Sequence, residues 1–132
     1  MPIFSANAEL FALNNMDDTN ARILDPGELA KVVGNDLSEL KEFTQNYRDV
    51  LVEHSEKILQ GVKDGNWDAT ANLAHRLKSS SRAMGAFDLA DCCESIEHHG
   101  KSGSASLPEG QANEFGRLVR LVLEAIDTYL LS

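Results

Sequence analysis

The chain is poor in most of the patterns that announce specialised chemistry. It has two cysteines, and they are neighbours, Cys92 and Cys93. Adjacent positions on a helix point in different directions, so a bridge between them is geometrically poor. No CxxC pair offers zinc spacing. Two reduced thiols, at least one of them buried, are expected. Proline occurs only at Pro2, Pro26 and Pro108. β-Branched runs and hairpin turns are scarce, which argues against strands. No apolar run approaches the ~18 residues of a membrane span. The opening MPIFSANAELFAL lacks the basic start of a secretory signal, so the cytoplasm is the expected compartment. Basic charge is in deficit, and the net charge is −9. Nucleic acid and anionic membrane surfaces are therefore poor partners. There is no GxxxxGKS/T loop or other glycine-rich phosphate cradle, hence no ATP site.

What is present suits one domain. The 132 residues are 42% hydrophobic and 25% charged, enough to bury a core without metal or disulfide. The chain reads as all-helical. Residues 5 to about 14 form a candidate amphipathic helix, with Phe11 and Leu13 as docking residues, in an N-terminal extension over 1–20. A bundle is expected over 21–132. Asp25 caps a short helix with Pro26 at its first position, and Gly34 stops it. Asn35 or Asp36 caps a long helix to about residue 62. Its seam is Leu37, Leu40, Thr44, Tyr47, Leu51, His54 and Ile58, widened by Phe43 and Val50. Asp64, Gly65 and Asn66 make a turn, with Asn66 as N-cap.

A third helix is predicted over about 67–84, ended by Gly85, and a fourth over about 86–99. Residues 100–106, GKSGSAS, read as a flexible loop. The last helix starts near Pro108, with Phe115, Leu118, Val119, Val122, Ile126, Tyr129 and Leu130 on its core face. Short loops between long helices favour an antiparallel, up-and-down four-helix bundle with short additional N-terminal helices.

The stretch HRLKSSSRAMGA, residues 75–86, is unusually polar for a helix. Its apolar line is Leu73, Leu77, Ser80 and Met84, with Ser80 small enough for close helix packing. His75 sits about 160° from Leu73 and Leu77, on the solvent side. Lys78, Ser79 and Arg82 share its face. Neutral imidazole is a competent nucleophile near pH 7. A phosphoryl group on it would be negative, and an ammonium such as that of Lys78 would stabilise it. Phosphoryl transfer needs mostly positioning and charge, so few residues suffice.

This stretch resembles the signature of histidine-containing phosphotransfer (HPt) domains, H-x-L-K-G-S-S-x-x-x-G-A. His75, Leu77, Lys78, Ser80, Ser81, Gly85 and Ala86 match by position. ILDPGELAKVVGNDLSELKEFTQNY is similar to the family's opening helix, glycine turn and second helix, and GNWDATANLAHRLK to its run into the histidine. The resemblance implies a four-helix-bundle phosphorelay intermediate. His75 would take a phosphoryl group from one receiver-domain aspartate and pass it to another. Lys78 would stabilise that group and Gly85 would end the helix. The protein would be a stoichiometric carrier, not an enzyme, with no cofactor of its own; magnesium would belong to the receiver. Its partners would be receiver domains of response regulators and of a hybrid histidine kinase, and a monomer is expected. The family's usual glycine is Ser79 here, which becomes a candidate hydrogen-bond donor to the imidazole or phosphoryl group. Arg82 is a candidate contact for the partner or the phosphoryl group.

Other polar residues read more plainly. Asp88, Asp91, Glu94 and Glu97, every third residue, look like a solvated face. His54 falls on an apolar line, and His98 and His99 end a helix where cations favour the dipole. Trp67 and Tyr47 read as packing residues. The apolar residues of the first helix and the flank of the second are candidates for receiver docking. Two other readings stay open: an adaptor that docks receivers or a kinase without transfer, and a metal-binding bundle using His54, His98, His99 and carboxylates.

Overall fold

A computed structural model describes residues 22–103 and 106–132. The expected helix over 5–14 lies outside them. Five helices and no strands occur among the described residues: α1 Pro26–Val33, α2 Leu37–Asp64, α3 Trp67–Ala83, α4 Phe87–Lys101 and α5 Gln111–Leu131. Helices α2 to α5 close a ring in which each packs on the next and α5 returns to α2. Helix α1 lies across α2 and α3. The tight turns after α2 and α3 leave room only for antiparallel neighbours. The result is the predicted all-α bundle.

Local chemistry sets the helix ends. The Asp25 carboxylate accepts from Gly27 N at 2.9 Å, with Pro26 at the first helical position. Of the two candidates for the α2 cap, Asp36 does the work, accepting from Glu39 N at 3.1 Å. Asn66 precedes α3 without a side-chain cap bond. Its carbonyl instead accepts from Thr70 N and Thr70 Oγ1. Gly85 follows α3 at φ +72°, and a Cβ there would lie 2.7 Å from the Asp25 backbone nitrogen. Asp25 N donates to Met84 O at 3.1 Å, so the chain entering α1 is laid directly on this turn. Only glycine allows both the left-handed turn and that approach.

The core is built from Leu51, Ile58, Leu77, Leu89, Ile96, Phe115, Val122 and Ile126, all essentially solvent-free. Each buried side chain of this kind stabilises the fold by about 1.5–3 kcal/mol relative to exposure. The α2 seam holds at Leu40, Thr44, Tyr47, Leu51 and Ile58, but Leu37 is 58% exposed. Ser55 is buried at the step expected of His54, which is half-buried. Phe43 and Val50 remain on the surface rather than widening the core.

The packed face of α3 is rotated from the expected line. Thr70, Ala71, Ala74, Leu77 and Ser81 are buried there, while Leu73 and Ser80 are only half-buried. Small residues bring α3 closest to its neighbours, and a line drawn through the larger apolar residues misses them. The hydroxyl of Ser81, not Ser80, is in the core, 2.7 Å from Tyr47 Oη. Helix α4 also runs two residues further than expected. Gly100 is not loop but buried helix, where a Cβ would come within 2.9 Å of Ala71 Cβ. Helix α5 begins at Gln111, after a turn in which Gln111 N donates to Pro108 O.

Candidate functional site

With Ala74 and Leu77 fully buried, the geometry of α3 turns His75 outward. Its side chain is 56% exposed. The ring does not stand alone. Across the α3–α4 interface lies Glu97, whose side chain is 9% exposed. Glu97 Oε2 is 2.8 Å from His75 Nδ1 and 2.8 Å from Lys101 Nζ. Glu97 Oε1 accepts from Lys78 Nζ at 2.8 Å. Burial alone would push the Glu97 carboxyl up. Hydrogen bonds from Lys101, Lys78 and His75 outweigh it and pull the carboxyl down to about 2. Glu97 is therefore ionised at neutral pH.

An ionised carboxylate can only accept, so Nδ1 must carry the proton in this contact. In the neutral ring Nε2 then holds the free lone pair. The arrangement leaves Nε2 as the nitrogen with the free lone pair and fixes the ring beside two ammonium groups.

The residues expected around His75 fall into different places. Lys78 is at the site, 14% exposed and engaged with Glu97. Ser79 Oγ donates to the His75 carbonyl at 3.3 Å, so its hydroxyl is turned to the helix backbone rather than to the imidazole. Residues four apart on a helix stack, and serine makes this back-bond readily. Ser80 Oγ does the same with the Arg76 and Leu77 carbonyls. Arg82 Nη2 lies 3.4 Å from Glu94 Oε2, tying α3 to α4 one step along from the ring.

Glu97 and Lys101 are the residues that the sequence reading missed. The acidic run Asp88, Asp91, Glu94, Glu97 does not form one solvated face. Asp88 and Asp91 each pair with Arg22 at 2.6 Å, Glu94 pairs with Arg82, and Glu97 is buried. A spacing of three drifts by about 60° per step, so Asp88 and Glu97 point in roughly opposite directions. That drift was the available signal. Lys101 was hidden because Gly100 reads as a helix breaker.

The other polar candidates lie elsewhere. His54 Nδ1 and His99 Nδ1 are enclosed without a hydrogen-bond partner. His98 and His99 meet edge to face with centroids 6.0 Å apart. Among the described residues no group of three His, Cys, Asp or Glu is placed to hold a metal ion. Cys93 is buried and Cys92 half-buried, both as free thiols. Burial pushes both thiols up, Cys92 to about 11, which keeps them protonated and unreactive.

Along α3 from His75 an open, mostly apolar groove is lined by Leu29, Phe43, Asn46, Tyr47, Val50, Ser80, Ala83 and Met84. Phe43 is 48% exposed. Among the described residues no helix is long and apolar enough to cross a membrane.

The family model of the Hpt domain matches residues 26–129, which includes all five helices almost in full. The chain belongs to the Hpt domain family. Comparison with curated proteins and with solved structures gave no match. Hpt domains are phosphocarrier modules of two-component signalling that work with receiver domains, not classical enzymes.

Proposed function

We propose that this protein is a phosphorelay intermediate. His75 Nε2 accepts a phosphoryl group from a receiver-domain aspartate and passes it to the aspartate of another receiver. The observation that carries the reading is the pinned ring: Nδ1 is bonded to Glu97 and the remaining nitrogen belongs to an exposed side chain. Lys78 and Glu97 set the charge and orientation, and the receiver supplies the magnesium. The chain has no nucleotide loop, so it acts as a stoichiometric carrier rather than a kinase. The groove beside Phe43 suits the apolar part of a receiver's docking face. The carrier works as a cytoplasmic monomer, because one nucleophile serving two partners in turn needs open access.

The test is phosphotransfer from a phosphorylated receiver domain to the wild type and to His75→Gln, followed as acid-labile phosphate. Labelling of the wild type and not of the variant is the expected result. No labelling across receivers that bind the protein would replace the carrier with a non-transferring adaptor.

A further inference from the structure

Lys101 lies one turn beyond Glu97 on α4. Its ammonium is 2.8 Å from Glu97 Oε2, the same oxygen that His75 Nδ1 meets at 2.8 Å. A single oxygen thus separates this cation from the imidazole. The Lys101 side chain is 60% exposed, whereas Lys78 is 14% exposed. One lysine is held in the interface, and the other reaches Glu97 from the solvent side.

Charge counting gives Lys101 a part that Lys78 cannot play alone. Lys78, Lys101 and Arg82 share two carboxylates, Glu94 and Glu97, so the cluster carries one surplus positive charge. Lys101 is the more exposed of the two lysines on Glu97. A phosphoryl group brings about −1.5 to −2 charges next to a buried carboxylate. Like charges at such range oppose loading unless a cation offsets them. Lysine suits the task, since its ammonium is a point charge on a flexible four-carbon stem.

We infer that Lys101 is a second phosphoryl-binding cation, which leaves Glu97 Oε2 for the phosphoryl oxygens when His75 is loaded. The inference rests on the carrier reading of His75. In the loading step the Nε2 lone pair forms the N–P bond while the P–O bond to the receiver aspartate breaks. The aspartate departs as a carboxylate. The proton stays on Nδ1, so the loaded ring is a cation held by Glu97, and no base is needed. Lys78 keeps Glu97 in place while Lys101 moves.

The experiment measures the equilibrium share of phosphoryl on this protein against a phosphorylated receiver for the wild type, Lys101→Ala, Lys101→Arg and Lys57→Ala. Lys57 is a matched control: it is 59% exposed and bonds Glu53 at 2.9 Å across one helical turn of α2. Lys101→Ala should lower the loading constant about tenfold, the weight of one hydrogen bond to a charged group. Lys101→Arg and Lys57→Ala should stay near wild type. The loss should persist in a Glu97→Gln background, because the lysine acts on the phosphoryl group and not only through Glu97. A loading constant for Lys101→Ala equal to that of Lys57→Ala would overturn the inference. So would a loss that vanishes in the Glu97→Gln background. If the wild type itself takes no label, the carrier reading fails and this inference falls with it; a labelled wild type with an unaffected Lys101→Ala removes this inference alone.

Discussion

At Glu97, burial and charge pull in opposite directions. Burial favours the protonated acid, yet three donors converge on the carboxylate and win. The sign of the consequence is fixed. The carboxyl lies below its ordinary value of 4.5, at about 2. Its ionised form therefore stabilises the fold fully above about pH 4.5, and that contribution is lost as pH falls through about 2. Glu97→Gln keeps the shape and removes the charge. The wild type should exceed this variant in denaturant midpoint at pH 7, and the gap should close between pH 4.5 and 2. Chemical unfolding of both proteins across that window measures it. A gap that does not change with pH would mean that the three donors do not hold the carboxylate ionised in solution.

At the scale of elements, the close contact of α3 with α4 is what brings Glu97 to His75. That contact depends on small residues. A Cβ on Gly100 would lie 2.9 Å from Ala71 Cβ and 3.0 Å from the Trp67 carbonyl oxygen. Both atoms are fixed to the α3 backbone, so no flexible side chain can give way. Gly100→Val should cost roughly 1–3 kcal/mol through overpacking. It should also slow phosphotransfer, because α4 carries Glu97 and Lys101 and must shift to admit the new side chain. Thermal unfolding and transfer rates check the two effects. A stability loss with normal transfer would separate the packing of α4 from the alignment of the ring. The same elements mark the limit of what was legible in the sequence. His75, Lys78 and the outward face of α3 follow from spacing and from the family likeness. The burial of Ser81 and Ala71 does not, because hydropathy gives small residues little weight. Gly100 was legible only as a breaker, since local propensity cannot show that a neighbouring helix needs the space. Glu97 was legible in principle through the drift of its acidic run, but its partners come from another helix.

Across the whole molecule, the proposed chemistry and the proposed docking face fall on different parts of one surface. The chain carries a net charge of −9, yet Lys78, Lys101 and Arg82 gather near His75. The apolar groove lies further along α3, between α1, α2 and the end of α3. Phe43 is half in solvent there and contributes little to the closed ring of helices. On docking, its ring would leave water against a partner, which is where aromatic side chains give most binding energy. Phe43→Ala should therefore weaken receiver affinity by about tenfold, or ~1.4 kcal/mol. Its melting temperature should stay close to wild type, because the removed atoms lie outside the core. His75→Gln should do the opposite, binding receivers normally while taking no phosphoryl group. Calorimetric titration of a receiver domain into both variants measures the contrast. If Phe43→Ala binds as tightly as the wild type, the docking face lies elsewhere on the bundle. The chemistry assigned to His75 would be untouched by that result, because nothing in the pinned ring depends on the groove.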